Sequence, residues 1–230
     1  MPAHVLSLDE TLLHQIGHEA IKIARVQLVF DDSAAVIEEA AAQRFSQINP
    51  HYPGIRASVS SDLLRALCTA VEDIAVGSFG AARQNWMGQA WYSIVTQTPG
   101  RLTPIQRLPH FDGFKPDQVA IMIYLNQTRH GGTGFYRHKS TGFESVSQAR
   151  YPEYKASLEK DVKSTGLPPA KYITDGAPHF ERIADLGAEF NSMIVYPGTA
   201  LHSGVIDNNV PLHTDPREGR LTINGFFAPA

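Results

Sequence analysis

His110-Phe111-Asp112 is the triplet in this chain best suited to metal chemistry. On an extended backbone, residues two apart share a face, so the imidazole and the carboxylate point one way and Phe111 the other. Two such groups can fill adjacent positions of a divalent ion, and a third ligand from another strand would leave positions open for reaction. Alone, the triplet is weak evidence and is better explained by a His and an Asp hydrogen-bonding the loop. His202, in Leu201-His202-Ser203-Gly204, is the candidate third ligand. It lies 90 positions beyond Asp112 and just past the strand-like stretch Asn191 to Gly198. A lone His there is more commonly structural, but several strands intervene, and a rolled sheet can bring it back to the first two.

The last strand-like stretch, Arg220 to Phe227, adds a cation. Alternation puts Arg220, Thr222 and Asn224 on one face and Leu221 and Ile223 on the other. If the first face lines a closed sheet with His110 and Asp112, Arg220 needs a counter-anion, because an unpaired buried charge is very costly. A ligand carboxylate gripped by the guanidinium fork would serve; a surface ion pair is the plainer alternative. Arg217, in the preceding turn, is the fallback cation.

These residues need elements to hold them. The first third of the chain reads as mostly helical. Ser7 and Glu10 form a capping box, followed by Leu12, Leu13, Ile16, Ala20, Ile23 and Ala24 at helical spacing. A second helix is expected over Ser33 to Ser46 and a third from about Ser61 through Ile74. Asn49 to Gly54 breaks the pattern between them. Cys68 lies among the apolar residues of the third helix and reads as structural. From Trp86 the period changes. Strands are expected over Trp86 to Thr98, Ile105 to His110, Gln118 to Asn126, Phe135 to His138, Ser192 to Tyr196, Leu201 to Ile206 and Arg220 to Phe227. The Gly-rich turn His130 to Gly134 lacks the following Lys and helix of a phosphate loop. Thr141 to Phe190 reads as an insertion, with one short helix over Glu153 to Lys163, and is either a decorating loop or a lid. The expectation is one domain over 1–230: a helical part at 1–85, then a closed or sandwiched antiparallel sheet at 86–230 interrupted at about 141–190, an α+β fold.

The order HFD (His110 to Asp112), IYLN (Ile123 to Asn126), GGTGFY (Gly131 to Tyr136), SMIVYPG leading to LHSG (His202), and GRLTINGFF (with Arg220) resembles the Fe(II)/2-oxoglutarate-dependent dioxygenase superfamily, in particular its prolyl-4-hydroxylase-like branch. The resemblance spans roughly residues 86 to 227, without a counterpart for 141–190. It implies a double-stranded β-helix (jelly-roll, cupin-like) core with helices packed on one face. It implies that His110, Asp112 and His202 bind Fe(II), that Arg220 holds the distal carboxylate of 2-oxoglutarate, and that Tyr124 and Thr222 assist. O2 would be the second cosubstrate, with succinate and CO2 released as a C–H bond is hydroxylated. Related halogenases lack the carboxylate at the Asp112 position, so its presence points to hydroxylation. One departure is the 18 positions from His202 to Arg220, a longer loop than relatives carry. Substrate contacts are sought at Arg137, His138, Gln106 and His213, and the substrate among small molecules, amino acids and peptide residues.

The bulk composition limits partners. A chain of 230 residues with 43% hydrophobic and 19% charged residues is an ordinary globule with one good core. Its formal charge of −3 and the lack of a basic run give no footprint for nucleic acid. A single Cys excludes an internal disulfide, and no stretch reads as a signal or a bilayer span, so a cytoplasmic protein without membrane contact is expected. Three other readings compete: a non-catalytic β-barrel binding protein, a cupin-like metalloenzyme without 2-oxoglutarate, and a zinc hydrolase using the same three ligands.

Overall fold

A computed structural model describes residues 4–126 and 130–230. The elements run β1 (Thr11–Ile16), β2 (Ile21–Val26), α1 (Ser33–Ala41), β3 (Gly54–Ser58), α2 (Ser61–Ile74), β4 (Trp86–Val95), β5 (Val119–Tyr124), β6 (Thr133–His138), α3 (Tyr151–Thr165), β7 (Gly176–Ala177), β8 (Phe180–Leu186), β9 (Ser192–Pro197), β10 (His202–Gly204) and β11 (Leu221–Pro229). They form two curled antiparallel sheets. The larger has the order β1-β2-β9-β5-β11-β4-β3 and the smaller β10-β6-β8-β7.

The central strands β5 and β9 are buried on both faces, which explains their unbroken apolar sequences. Alternation divides them between two cores. Ile121, Ile123, Met193 and Val195 pack outward with Val36, Leu63, Leu67 and Val71 of α1 and α2. Ala120, Met122, Tyr124, Ile194 and Tyr196 face inward toward Phe135 of the smaller sheet. Helix α2 begins as expected, with Ser60 accepting from the Leu63 amide and Asp62 in the first turn. Cys68 packs half-buried against the outer core, where burial pushes its thiol up.

Several expectations fail. The N-terminal third is not mostly helical: residues 11–26 form the β1–β2 hairpin. The helical spacing counted Leu12 and Leu13, but these are exposed. Ile21, Ile23 and Val26 carry the burial instead. Gly17 (φ +67°) and Ala20 (φ +50°) turn the chain, and the Glu144 carboxylate clamps that turn by accepting from the His18 and Glu19 amides. The second helix stops at Ala41 rather than Ser46, and the break before α2 ends in strand β3. Residues 104–107 make a 3-10 turn instead of a strand, held by the Thr103–Gln106 capping box. The 141–190 segment is not wholly an insertion, because β8 is a full partner of β6. Among the described residues no helix is long and apolar enough to cross a membrane.

Candidate metal centre

His110 and His202 are joined through their backbones before their side chains are considered. The His110 amide donates to the His202 carbonyl at 2.9 Å, and the His202 amide donates back at 2.8 Å. This bridge extends β10, whose His202 pairs with Phe135 of β6. The Asp112 amide donates to the Gly198 carbonyl at 2.7 Å, tying the other end of the triplet to the turn after β9. Phe111 packs against Phe114, Tyr151 and Tyr154.

The three ligand groups converge. One atom from each of His110, Asp112 and His202 lies within 4.8 Å of the others. His110 Nε2 is 3.9 Å from Asp112 Oδ1, and His202 Nε2 is 3.5 Å from Asp112 Oδ2. Asp112 Oδ2 is buried and has no hydrogen-bond partner. An orphaned carboxylate oxygen between two imidazoles is what a cation would satisfy. His202 Nδ1 lies 3.0 Å from the Ala200 carbonyl. That bond fixes the proton on Nδ1 and leaves the Nε2 lone pair facing Asp112, the tautomer a metal ligand needs.

Electrostatics agree. Burial holds the His202 imidazole down, to about 4, so it is neutral at physiological pH. Burial and the neighbouring His202 also lower His110, although solvent tempers this because its ring is 53% exposed at the cavity mouth. Burial raises Asp112 to about 6, against the pull of His110 and Arg56.

The triad opens into a cavity of about 420 Å³ between the two sheets, large enough for a small ligand. Arg220 reaches the same cavity. It is buried, and its Nε and Nη2 donate to the carbonyls of Gly131 and Gly132 at 3.1 to 3.3 Å. Among the described residues no carboxylate pairs with it, and its hydrogen bonds to Gly131 and Gly132 all go to main-chain carbonyls. The Gly-Gly turn permits this seat: a Cβ on Gly132 would stand 1.8 Å from the Leu186 carbonyl oxygen. Of the face expected from alternation, Arg220 and Asn224 line the cavity and Thr222 does not, while Leu221 and Ile223 lie in the outer core.

The other expected site residues divide. Tyr124 Oη pairs with Thr133 Oγ1 at 2.7 Å, and its ring lies 6.0 Å from the Arg220 guanidinium. Thr222 donates to Asn224 Oδ1 at 2.8 Å. Neither side chain lines the cavity; Thr133 and Asn224 do. Gln106 sits at the cavity rim with its amide already used, accepting from Thr103 and donating to Pro50. Arg137, His138 and His213 lie outside the cavity. Arg137 bridges the buried Glu144 and the exposed Glu181. His138 is buried against Thr141 and Asp161, and His213 lies in the surface loop beside Glu218. Arg217 turns outward to Glu38, so the fallback cation is not in the cavity. Sequence reasoning missed Tyr52, Arg56 and Tyr172, which also line it. Only the alternation of Gly54 to Ser58 could have flagged Arg56.

A profile described as a family of unknown function, DUF6445, matches residues 10–227. The chain belongs to the DUF6445 family. A comparison with the curated proteins finds no match. Among solved structures, the chain is similar to the non-heme alpha-ketoglutarate-dependent epimerase SnoN from nogalamycin biosynthesis. The two are 12% identical with a TM-score of 0.50, over 90% of this chain and 78% of SnoN. It is also similar to HygX from Streptomyces hygroscopicus, solved with nickel, 2-oxoglutarate and hygromycin B, at 8% identity and a TM-score of 0.50, over 92% of this chain and 84% of HygX. HygX solved with iron gives the same TM-score at 10% identity. At these identities the likeness is one of fold, and the fold is one that 2-oxoglutarate-dependent enzymes use.

Proposed function

We propose that this protein is a non-heme Fe(II)- and 2-oxoglutarate-dependent oxygenase on a double-stranded β-helix, hydroxylating a C–H bond of a small molecule, amino acid or peptide residue. The motif order favours the prolyl-4-hydroxylase-like branch. The observation that carries the reading is the meeting of His110, Asp112 and His202 in a cavity that also holds a buried guanidinium with no carboxylate partner among the described residues. Arg220 favours this reading over a cupin-like enzyme or zinc hydrolase with the same three ligands, since neither needs a cation deeper in the cavity.

His110, Asp112 and His202 would hold the iron on one face. Bound iron with 2-oxoglutarate and O2 supplies an oxidative decarboxylation to succinate and CO2, coupled to oxidation of a substrate C–H bond. The chain positions the partners. Arg220, seated on the Gly131 and Gly132 carbonyls, would hold the distal carboxylate through a charge-assisted bond. Tyr124 acts through Thr133, and Thr222 through Asn224, each fixing a polar group on the wall. Met122, Tyr196 and Ile206 give the cavity an apolar lining that limits water. Asp112 occupies the position whose loss lets halide bind in related halogenases.

The test is succinate release from 2-oxoglutarate by purified protein. Turnover should require Fe(II) and collapse in His110→Ala and Asp112→Ala. Unchanged turnover in both variants would dispose of the ligand assignment.

A further inference from the structure

The cavity holds a second guanidinium that nothing above employs. Arg56 lies on β3 opposite Ser93, which pairs across β4 with Thr222 of β11. Its side chain lines the cavity, with the guanidinium carbon 4.1 Å from the Tyr52 ring centroid and 5.4 Å from that of Trp91. Aromatic faces hold a guanidinium in place without neutralising it. No carboxylate pairs with Arg56 among the described residues, and its Nε is buried without a hydrogen-bond partner. The strand does not depend on this side chain, because the Arg56 backbone exchanges two hydrogen bonds with Ser46, at 2.8 and 3.0 Å. Tyr52 Oη is also buried, with the Ser93 and Thr222 hydroxyls beside it and both Arg56 and Arg220 acting on its phenol.

Charge counting gives this arrangement a direction. It rests on the oxygenase reading above. The ferrous ion brings two positive charges and Arg220 one; Asp112 brings one negative charge and 2-oxoglutarate two. These cancel, and the imidazoles are neutral. Arg56 remains as a single uncompensated cation, half-buried on the cavity wall, and guanidinium does not shed its proton there. Such a charge needs an anion. Arg56 lines the same cavity as His110, Asp112 and His202, so an anion on it shares that space with the metal centre.

We propose that Arg56 anchors an anionic group of the substrate, so that the compound oxidised carries a carboxylate or a comparable monoanion, with Tyr52 Oη donating to the same group. Arg220 and Arg56 then divide the work: the first takes the cosubstrate, the second the substrate. The C–H bond attacked lies a few bonds from the anion.

The full chain loaded with Zn(II), a redox-silent stand-in for iron, and saturating 2-oxoglutarate tests this. Benzoate and its neutral analogue benzamide serve as probes, with binding read by saturation-transfer NMR. Wild type should bind benzoate at least about tenfold more tightly than benzamide, as expected for hydrogen bonds to a charged group. Arg56→Gln should abolish that preference, Arg56→Lys should keep part of it, and Tyr52→Phe should weaken benzoate alone. In Arg56→Gln the affinity for 2-oxoglutarate should change far less than in Arg220→Gln. Equal or absent binding of the two probes by wild type overturns the proposal. So does a preference that survives in Arg56→Gln, or a loss of 2-oxoglutarate there as large as in Arg220→Gln. Failure of 2-oxoglutarate to bind wild type would sink the oxygenase reading instead, and a benzoate preference that depended on Arg56 would still uphold the anion site.

Discussion

Removing the Asp112 carboxylate should stabilise the metal-free protein even as it ends activity. The side chain is 9% exposed and Oδ2 has no hydrogen-bond partner. Burial raises its pKa from 3.8 to about 6. Between those values the folded chain keeps a proton that the unfolded chain releases. Native stability therefore falls as pH rises through this window, and the full penalty is present above about pH 6. A displacement of about two pH units corresponds to ~3 kcal/mol; halving it for relaxation around the cavity leaves about 1.5 kcal/mol. In a chain of this size that moves the melting temperature by roughly 3 to 6 °C. Metal-free Asp112→Asn should melt higher than wild type by that amount at pH 7.5, and the gain should shrink to about a third of it at pH 4.5, vanishing only below about pH 3. Added Zn(II) should reverse the order, since wild type gains binding energy and the variant has lost a ligand. Calorimetry with and without chelator reads all of this. A variant that melts below wild type at pH 7.5 without metal, or one shifted equally at both pH values, would refute the burial reasoning.

Arg220→Gln should weaken 2-oxoglutarate binding by roughly 10- to 100-fold, while Arg217→Gln, which breaks only the surface pair with Glu38, leaves it unchanged; titration of both variants checks this, and equal losses would move the role away from Arg220. Arg137→Ala strips the cation from the fully buried Glu144 and should cost roughly 2 kcal/mol in thermal stability, with 2-oxoglutarate affinity retained. Gly132→Ala would drive a Cβ to 1.8 Å from the Leu186 carbonyl oxygen, so soluble yield should fall and any folded protein should bind 2-oxoglutarate poorly, because the carbonyls that seat Arg220 are displaced.

The parts of the chain with strong local patterns were legible in advance. β5 and β9 are buried on both faces and read as apolar runs. The alternation leading from Arg220 into β11 gave Arg220 a face shared with Asn224, and both line the cavity. The spacing of His110 and Asp112 works because backbone bonds to His202 at one end and Gly198 at the other hold this segment. The β1–β2 hairpin was misread because its exposed leucines mimic a helical stripe, while the contact that fixes its turn comes from Glu144, more than a hundred residues away. The same distance problem hid β8, whose partner β6 lies across the intervening helix α3. Arg137 and His138 looked available as a basic pair, but each is committed to an acidic group supplied from elsewhere in the chain. Arg56 had only the alternation of a five-residue strand to mark it, and it is the folding of β3 onto β4 that carries it to the cavity.

Anaerobic titration of Fe(II) and 2-oxoglutarate into the metal-free protein addresses the metal centre most directly. Chelation of iron by the keto acid at His110, Asp112 and His202 should produce a weak visible charge-transfer band that saturates at one equivalent, is lost in His202→Ala, and requires a much higher 2-oxoglutarate concentration in Arg220→Gln. No band in the wild-type protein, or an undiminished one in His202→Ala, would contradict the proposed centre.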